Sequence, residues 1–336
     1  MATDAYPILR EELIDRRRQL GQAVSAGVPT LQVERLVHEV DAALARMDDG
    51  SYGLCEVCRQ PIETDRLIVD PLARFCLEHL TPDQKRALEA DLGLAAEIQK
   101  GLLPGTRFYH RGWEAAYHYE PAGIVSGDYC DLVPAPCGDF YFILGDVSGK
   151  GVAASMLMAH LQAMFRTLIP MALPLPELVE RASRVFCEST LPSHYATLVC
   201  GRAGESGELE VCNAGHLPPL LIAGGGVTQI EATGLPLGAF CNEEFATSRV
   251  LVEPGQALLL YTDGLSEARD ASGRMYGTDR VRALVLGQRG RGPKDLIETC
   301  LRDLASFRTG APAGDDLTIM AIRRSAAGRE GEEPSF

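Results

Sequence analysis

Acidic residues recur beside apolar, strand-like runs, and this pattern constrains the fold more than any other feature of the sequence. The acids are Asp128, Asp146, Asp263 and the pair Asp315 and Asp316. Apolar runs adjoin three of these positions, at 140–144, 257–261 and 317–322. A carboxylate at the tip of a buried strand is costly to desolvate unless something compensates its charge. Taken singly, each acid resembles an ordinary turn residue, but together the four motifs favour one shared site.

A group of divalent cations would compensate several converging carboxylates, because carboxylate oxygens and water are the preferred ligands of magnesium and manganese. The chain has 336 residues and a formal net charge of −14. That balance suits a protein that concentrates cations, and it argues against broad electrostatic binding to nucleic acid or anionic membrane. The segment 145–151 is one residue short of a P-loop and has Gly151 where Ser or Thr should hold magnesium, so we do not interpret it as one.

From about residue 107 to residue 324, short β-like runs are interrupted by longer helical segments. The predicted strands are 141–144, 195–200, 209–212, 220–222, 250–252, 257–261 and 317–322. The predicted helices are 151–169, 175–189, 278–286 and 293–307. Strands at hairpin spacing with segregated helices predict an α+β sandwich that has two sheets inside.

The N-terminal third carries a metal-binding pattern. Cys55 and Cys58 are separated by two residues, and after seventeen intervening residues the spacing recurs in Cys76 and His79. Each pair can occupy one edge of a tetrahedron. Four protein ligands leave no open position, so the spacing predicts one structural zinc ion rather than a catalytic one. The alternative, four unrelated side chains, requires both spacings to arise by accident.

Three helices are predicted around this pattern. Segments 8–25 and 30–48 form either an antiparallel hairpin or two stripes that each pack on another subunit. Thr81, Pro82 and Gln84 form a helix start, with a capping box and proline in the first turn. The helix they begin should end near residue 101. Its apolar spacing suits pairing with a second copy, docking on the next domain, or a surface position.

The ten cysteines and the absence of targeting signals predict a cytoplasmic protein. No apolar run reaches the roughly 18–20 residues that span a bilayer, and the N-terminus has no apolar core of the signal-peptide type. We therefore expect no membrane association. In a cytosolic chain, cysteines serve as thiols or metal ligands rather than disulfides. Cysteines outside the zinc pattern, Cys187 and Cys241 among them, are expected to pack as free thiols.

The N-terminal pattern resembles a known family of zinc fingers. Asp-Asp-Gly-Ser-Tyr-Gly-Leu-Cys-Glu-Val-Cys (48–58), followed by Pro61-Ile62 and Ala73-Arg74-Phe75-Cys76, is similar to the DksA/TraR-type zinc finger, which also follows a helical hairpin. His79 departs from the family, which usually has a fourth Cys. Because family members can bind RNA polymerase, the resemblance implies contact with RNA polymerase or another regulator. Residues 1–90 carry more acidic than basic side chains, so no direct nucleic-acid contact is expected.

The acid motifs resemble, in order along the chain, the metal-dependent (PPM, type 2C) protein phosphatases of the bacterial SpoIIE-like branch. The matching segments are 97–104, 121–122, 127–129, 145–151, 196–198, 213–216, 234–238, 261–264 and 315–318. The resemblance implies a four-layer α-β-β-α sandwich with two Mn²⁺ or Mg²⁺ ions. The implied ligands are Asp146 between both metals, the Val147 carbonyl, Asp128 for the second metal, and Asp263 and Asp315 for the first. Asp316 would orient the site or bind a further ion, and Asp146 and Asp263 would be catalytic.

These inferences give one expected organisation and two functions. We expect a hairpin with a zinc finger over 1–80, a connector helix over 81–106, a phosphatase domain over 107–324 and a disordered tail over 325–336. The resemblance implies a homodimeric enzyme that hydrolyses phosphoserine or phosphothreonine on a regulatory protein, usually an anti-sigma-factor antagonist, under control of the finger. The alternative is a zinc-finger adaptor that binds the transcription machinery and carries an inactive phosphatase-like domain. The presence of all proposed metal acids weighs against the alternative.

Overall fold

The structure is a computed structural model, and it describes residues 6–25, 31–63, 66–67, 70–191, 194–288, 290–311 and 313–325. The chain divides into two compact units, Met1–Asp91 and Leu92–Phe336. Residues 326–336 of the predicted disordered tail lie outside the described residues.

The first unit contains a helical hairpin, as one of the two interpretations of the sequence predicts. Its helices are α1 (Tyr6–Ser25) and α2 (Leu31–Asp48). The ion pairs Arg10–Asp48 and Arg17–Asp41 show that the two helices run antiparallel. The core of the hairpin continues into the Cys-rich segment through Leu13, Val40, Tyr52, Ile62 and Leu67, all of them buried. Hairpin and finger therefore share one small hydrophobic core.

The connector is helix α3 (Pro82–Leu102), and the division between the two units falls within it. Its first turn is closed by the predicted capping box. The Gln84 N–H donates to Thr81 Oγ1 at 3.2 Å, and the Thr81 N–H donates to Gln84 Oε1 at 3.1 Å. Reciprocal bonds of this kind satisfy backbone donors that a helix start otherwise leaves free.

The second unit contains two antiparallel sheets built from eleven strands in the described residues. The strands are β1 (Arg107–His110), β2 (Trp113–Glu120), β3 (Asp128–Pro134), β4 (Phe140–Val147), β5 (Ala196–Ala203), β6 (Glu208–Ala214), β7 (Leu220–Ala223), β8 (Gly226–Gln229), β9 (Ser248–Leu251), β10 (Ala257–Tyr261) and β11 (Leu317–Arg324). The six-stranded sheet has the order β1-β2-β11-β10-β7-β8, and the five-stranded sheet has the order β3-β4-β5-β6-β9.

Helices cover the outer face of each sheet and complete a four-layer sandwich. The helices are α4 (Gly151–Leu168), α5 (Leu175–Ser189), α6 (Asp263–Ser266), α7 (Thr278–Leu286) and α8 (Pro293–Arg308). One core lies between α4, α5 and the five-stranded sheet, and another lies between α7, α8 and the six-stranded sheet. A third core lies between the two sheets. The predicted α-β-β-α architecture is confirmed.

Four strands were not predicted: β1, β2, β3 and β8. Strand β3 shows the reason, because its sequence Asp-Tyr-Cys-Asp-Leu-Val-Pro breaks the apolar pattern with two acids. Asp131 is fully buried, and the guanidinium of Arg166 binds both of its carboxylate oxygens at 2.6 and 2.7 Å. The acid that interrupts the apolar pattern of β3 is thus paired with a guanidinium group in the fold. Val252, predicted as the end of a strand, lies just beyond β9.

Among the described residues, the segment Gly151–Met171 is long and apolar enough to cross a membrane by length and composition. In the fold it is α4 with the short 3₁₀ turn Ile169–Met171 that follows it. Its side chains Met158, Leu161 and Phe165 are fully buried against the five-stranded sheet and α5. The packing of the second unit therefore accounts for the apolar character of this helix.

Candidate active site and zinc site

The two sheets bring the predicted acids together, two from the five-stranded sheet and three from the six-stranded sheet. On the five-stranded sheet, Asp128 in β3 lies directly opposite Asp146 in β4. On the six-stranded sheet, Asp263 follows β10 and begins α6, while Asp315 and Asp316 directly precede β11, the neighbour of β10. Asp128 is the first residue of β3 and Asp146 the penultimate residue of β4, so both lie at strand ends, as the sequence predicts.

Asp128 is held by donors from the opposite sheet. Its Oδ2 accepts hydrogen bonds from Thr262 Oγ1 at 2.9 Å and from Thr318 Oγ1 at 2.6 Å. Thr262 directly follows β10 and Thr318 lies in β11, so both belong to the six-stranded sheet. These bonds therefore join the two halves of the acid cluster. Neither threonine was identified from the sequence, although each stands next to an acid motif, in Tyr-Thr-Asp-Gly and Asp-Asp-Leu-Thr.

Asp316 holds the loop that leads into β3. Its Oδ1 accepts a hydrogen bond from the Ala122 N–H at 2.7 Å, and its Oδ2 accepts one from the Gly127 N–H at 2.9 Å. Gly127 precedes Asp128, so the carboxylate of Asp316 fixes the backbone beside a proposed metal ligand. Both carboxylate oxygens of Asp316 therefore accept backbone hydrogen bonds.

Val147 and Gly264 each lie close to the backbone of another segment of the site. Val147 ends β4 directly after Asp146, and its N–H donates to the Gly127 carbonyl at 3.4 Å. Gly264, the second residue of α6, lies against the backbone of Asp316, where any Cβ would overlap the carbonyl oxygen. Glycine after Asp263 is therefore required for α6 to approach the Asp315–Asp316 segment.

Burial and mutual repulsion raise the pKa values of the acids. The pKa of Asp146 rises to about 7, first because of burial and then because of the charges of Asp263, Asp315 and Asp316. Burial and the charge of Asp146 raise the pKa of Asp128 well above its ordinary value. Burial and Asp315 raise the pKa of Asp263. Clustered oxygen donors that repel one another in this way match the donor set that hard divalent cations prefer.

Lys150 supplies a positive charge at the edge of the cluster. Its Nζ donates to Asp315 Oδ2 at 2.9 Å and to the Gly314 carbonyl at 3.0 Å. The hydrogen bond to Asp315 raises the pKa of Lys150. Lys150 follows Asp146 and Val147 in the same loop, so this contact ties the loop after β4 to the segment before β11.

His216 joins the sheets from a buried position. Its Nδ1 lies 2.8 Å from Thr197 Oγ1 in β5, and its Nε2 lies 3.2 Å from the Tyr261 carbonyl oxygen in β10. Burial lowers the pKa of His216 to about 4, so the imidazole is neutral and its Nε2–H donates to the carbonyl. This side chain, omitted from the predicted catalytic residues, holds the strand that precedes Asp263.

The zinc ligands predicted from the sequence converge in the first unit. The Sγ atoms of Cys55, Cys58 and Cys76 and a ring nitrogen of His79 lie within 4.8 Å of one another. Burial acts to raise the pKa of Cys55, but backbone N–H groups of Cys58, Cys76 and Val57 stabilise its thiolate and lower the pKa to about 6. Three thiolates and one imidazole match the donor set that a structural zinc ion prefers.

One expectation about the cysteines is wrong. Cys187 on α5 and Cys241 in the loop before β9 form a disulfide, with their Cα atoms 5.4 Å apart. The other eight cysteines form no disulfide. The sequence contains no spacing signal for this pair, because its two members lie 54 positions apart.

Comparison with known proteins agrees with the geometry. Residues 136–325 match the family described as Stage II sporulation protein E (SpoIIE), and residues 50–78 match the prokaryotic dksA/traR C4-type zinc finger. His79 lies one position beyond the finger match. Among solved structures, the SiaA-PP2C domain of Pseudomonas aeruginosa has a TM-score of 0.62 at 18% identity, covering 71% of this chain and 97% of that one.

The four-layer sandwich with acids at the junction of its sheets defines a PP2C-type phosphatase fold. The family match spans more than half of the sequence, and the chain belongs to the SpoIIE family. Protein IcfG of Synechocystis is 26% identical over 274 residues, covering 72% of this chain and 42% of IcfG. Phosphoserine phosphatase RsbU of Bacillus subtilis is 22% identical over 244 residues, covering 71% of this chain and 72% of RsbU. The chain thus spans less than half the length of IcfG.

Proposed function

We propose that the chain is a metal-dependent protein phosphatase that hydrolyses phosphoserine or phosphothreonine on a regulatory protein. The observation that carries the proposal is the convergence of Asp128 and Asp146 from one sheet with Asp263 and Asp315 from the other. Membership of the SpoIIE family supports it, as does the similarity to a relative named as a phosphoserine phosphatase. The proposed substrate is a phosphorylated anti-sigma-factor antagonist, and the proposed location is the cytoplasm.

The acids fit two Mn²⁺ or Mg²⁺ ions. Asp146 would contact both ions and the Val147 carbonyl one of them, while Asp263 and Asp315 would serve the first ion and Asp128 the second. Two such ions lower the pKa of a shared water and supply hydroxide near neutral pH. The protein positions the donors beforehand: Thr262 and Thr318 hold Asp128, Asp316 holds the loop before it, and neutral His216 holds the strand before Asp263.

We further propose that the zinc-finger region regulates the enzyme through α3. Buried Gln99 of this helix exchanges two hydrogen bonds with the Ser126 backbone, and Ser126 Oγ accepts a hydrogen bond from the Asp128 N–H at 3.0 Å. A displacement of α3 would therefore shift a proposed metal ligand. In this proposal the protein is a homodimer through 8–48, α3 or both. A monomer in sedimentation at tens of micromolar would contradict that part.

The zinc finger favours a second candidate function. A finger of the DksA/TraR type, with one structural Zn²⁺, suits an adaptor that contacts RNA polymerase or another regulator while the phosphatase-like domain is inactive. The two candidates differ in a measurable property, because an adaptor of this kind would not hydrolyse phosphate esters.

Manganese-dependent hydrolysis of p-nitrophenyl phosphate tests the proposal. We expect activity that depends on added Mn²⁺ and is lost in Asp146→Asn and Asp263→Asn. Asp83→Asn is the matched control, because Asp83 is exposed and its ion-pair partner in the described part of the chain is Arg86 on the same helix. The control should retain wild-type activity. A folded wild-type protein that stays inactive with Mn²⁺ would reject the proposal in favour of the adaptor.

A further inference from the structure

A cavity adjoins the acid cluster in the second unit. Its volume is about 470 Å³, and Asp315 belongs to its lining. One wall is the loop after α6, with Glu267, Arg269 and Asp270, and the other is the end of α8, with Arg308. Cavities of this size hold one or two side chains or a small ligand. Nothing in the proposed reaction uses this space.

The first wall is held rigidly by Asp270. The carboxylate of this buried residue accepts hydrogen bonds from the Ser272 N–H at 2.8 Å and the Arg274 N–H at 3.0 Å. The Arg274 guanidinium pairs with it at 2.7 Å. The backbones of Arg269 and Met275 form an antiparallel β-bridge across the same turn. The carboxylate of Asp270 is therefore paired within its own loop, and these bonds hold the backbone next to Arg269 in place.

Two guanidinium groups line the cavity without carboxylate partners among the described residues. Arg269 Nη1 donates to the Gly273 carbonyl at 2.9 Å, and Arg308 Nη2 donates to the Gly264 carbonyl at 3.5 Å. Each group keeps further N–H donors. Of the three acids that line the cavity, Asp315 pairs with Lys150 and Asp270 pairs with Arg274. The third, Glu267, has no cation partner among the described residues.

We propose that this cavity binds a carboxylate side chain, Asp or Glu, that lies close to the phosphorylated residue of the protein substrate. The inference rests on the proposed phosphatase function, because Asp315 lines the cavity and belongs to the acid cluster. The planar guanidinium fork matches a carboxylate and binds it through charge-assisted hydrogen bonds. The site would select phosphoproteins with acidic residues beside the phosphoserine.

Two synthetic phosphopeptides test this inference directly. They are Glu-Glu-Ala-phosphoSer-Ala-Glu-Glu and the same peptide with glutamine in place of every glutamate. The measured quantity is the ratio of their kcat/KM values with saturating Mn²⁺ in about 0.1 M salt, where charges a few Å apart still interact. Because both peptides are measured on one enzyme preparation, changes in folding or overall activity cancel from the ratio.

We expect wild-type enzyme to prefer the acidic peptide about tenfold, as charge-assisted hydrogen bonds allow. The double variant Arg269→Gln/Arg308→Gln should lower the ratio to near one. Arg302→Gln is the matched control, because Arg302 is an exposed residue of α8 outside the cavity, and it should keep the wild-type ratio.

The outcomes separate this inference from the proposed function. Hydrolysis of both peptides with a wild-type ratio near one, or a ratio that the double variant leaves unchanged, would reject the cavity site and leave the phosphatase standing. If neither peptide nor p-nitrophenyl phosphate is hydrolysed by wild-type enzyme with Mn²⁺, the phosphatase function and the cavity site are both rejected.

Discussion

The side-chain amide of Gln99 and the backbone of Ser126 exchange two hydrogen bonds. Gln99 Nε2 donates to the Ser126 carbonyl at 2.7 Å, and the Ser126 N–H donates to Gln99 Oε1 at 3.0 Å. Gln99 is only 6% exposed, although it lies on the largely exposed helix α3. Since Ser126 in turn accepts a hydrogen bond from Asp128, the pair couples a helix to the acid cluster.

Gln99→Ala should weaken metal binding. The substitution leaves a buried N–H and a buried carbonyl of Ser126 unpaired, at a cost of about 1–3 kcal/mol. We expect the Mn²⁺ concentration for half-maximal hydrolysis of p-nitrophenyl phosphate to rise about tenfold, which corresponds to 1.4 kcal/mol. Glu97→Ala, an exposed change on the same helix, should have no effect. Equal Mn²⁺ requirements in both variants would show that the pair does not support the site.

The raised pKa of Asp146 predicts how the metal-free protein responds to pH. Between about pH 4 and pH 7 the folded state keeps a proton on Asp146 that the unfolded state has lost, so this group destabilises the fold as pH rises through that interval. His216, with its pKa lowered to about 4, acts in the opposite direction up to about pH 6.5. Total stability therefore mixes both effects.

Asp146→Asn removes both this carboxylate and its repulsion of Asp128, and the two changes act in the same direction. In EDTA, the urea midpoint of wild type should fall relative to that of the variant as pH rises from 5 to 8. A midpoint difference that stays constant over this range would contradict the raised pKa. Because bound metal requires ionised carboxylates, Mn²⁺ binding near pH 6 should also release protons, which calorimetry in buffers of different ionisation enthalpy detects.

Gly264→Ala should inactivate the enzyme. A Cβ at this position would overlap the Asp316 carbonyl oxygen, so α6 and Asp263 would have to move away from the Asp315–Asp316 segment. A displacement of about 1 Å at such a site costs roughly 100-fold in rate. Gly93→Ala is the control, since nothing lies within 4 Å of its added Cβ and its backbone is helical. The control should be fully active, and an active Gly264→Ala would show that the close approach is not needed.

Local motifs carried most of the information that the sequence provided. The acids and the zinc ligands each lie in short segments whose spacing or neighbours indicate their chemistry. The two-sheet sandwich follows from strands at hairpin spacing with segregated helices. Thr262 and Thr318 escaped notice because their bonds to Asp128 span 134 and 190 positions and arise only when the sheets pack. The pairing of Asp131 with Arg166 was invisible for the same reason.

Loss of one thiolate should empty the zinc site and loosen the first unit. Cys58→Ser removes one of four ligands, and the finger shares its core with the hairpin. We expect about one zinc per wild-type chain by elemental analysis and none in the variant. Limited proteolysis should then cut within residues 1–91 and spare the second unit. Cys137→Ser, a change at an exposed free thiol, is the control and should retain zinc. If Cys58→Ser also retains zinc, Cys58 is not a ligand.

The disulfide between Cys187 and Cys241 should stabilise the second unit under oxidising conditions. A cross-link across 54 positions removes conformational freedom from the unfolded chain, and such bonds contribute about 2–4 kcal/mol. Urea unfolding of oxidised wild type should show a free energy larger than that of the reduced protein by this amount. In Cys187→Ser/Cys241→Ser the free energy of unfolding should be the same under oxidising and reducing conditions. In Cys137→Ser the difference between the two conditions should be as large as in wild type. If the double variant responds to reductant as wild type does, another bond is responsible.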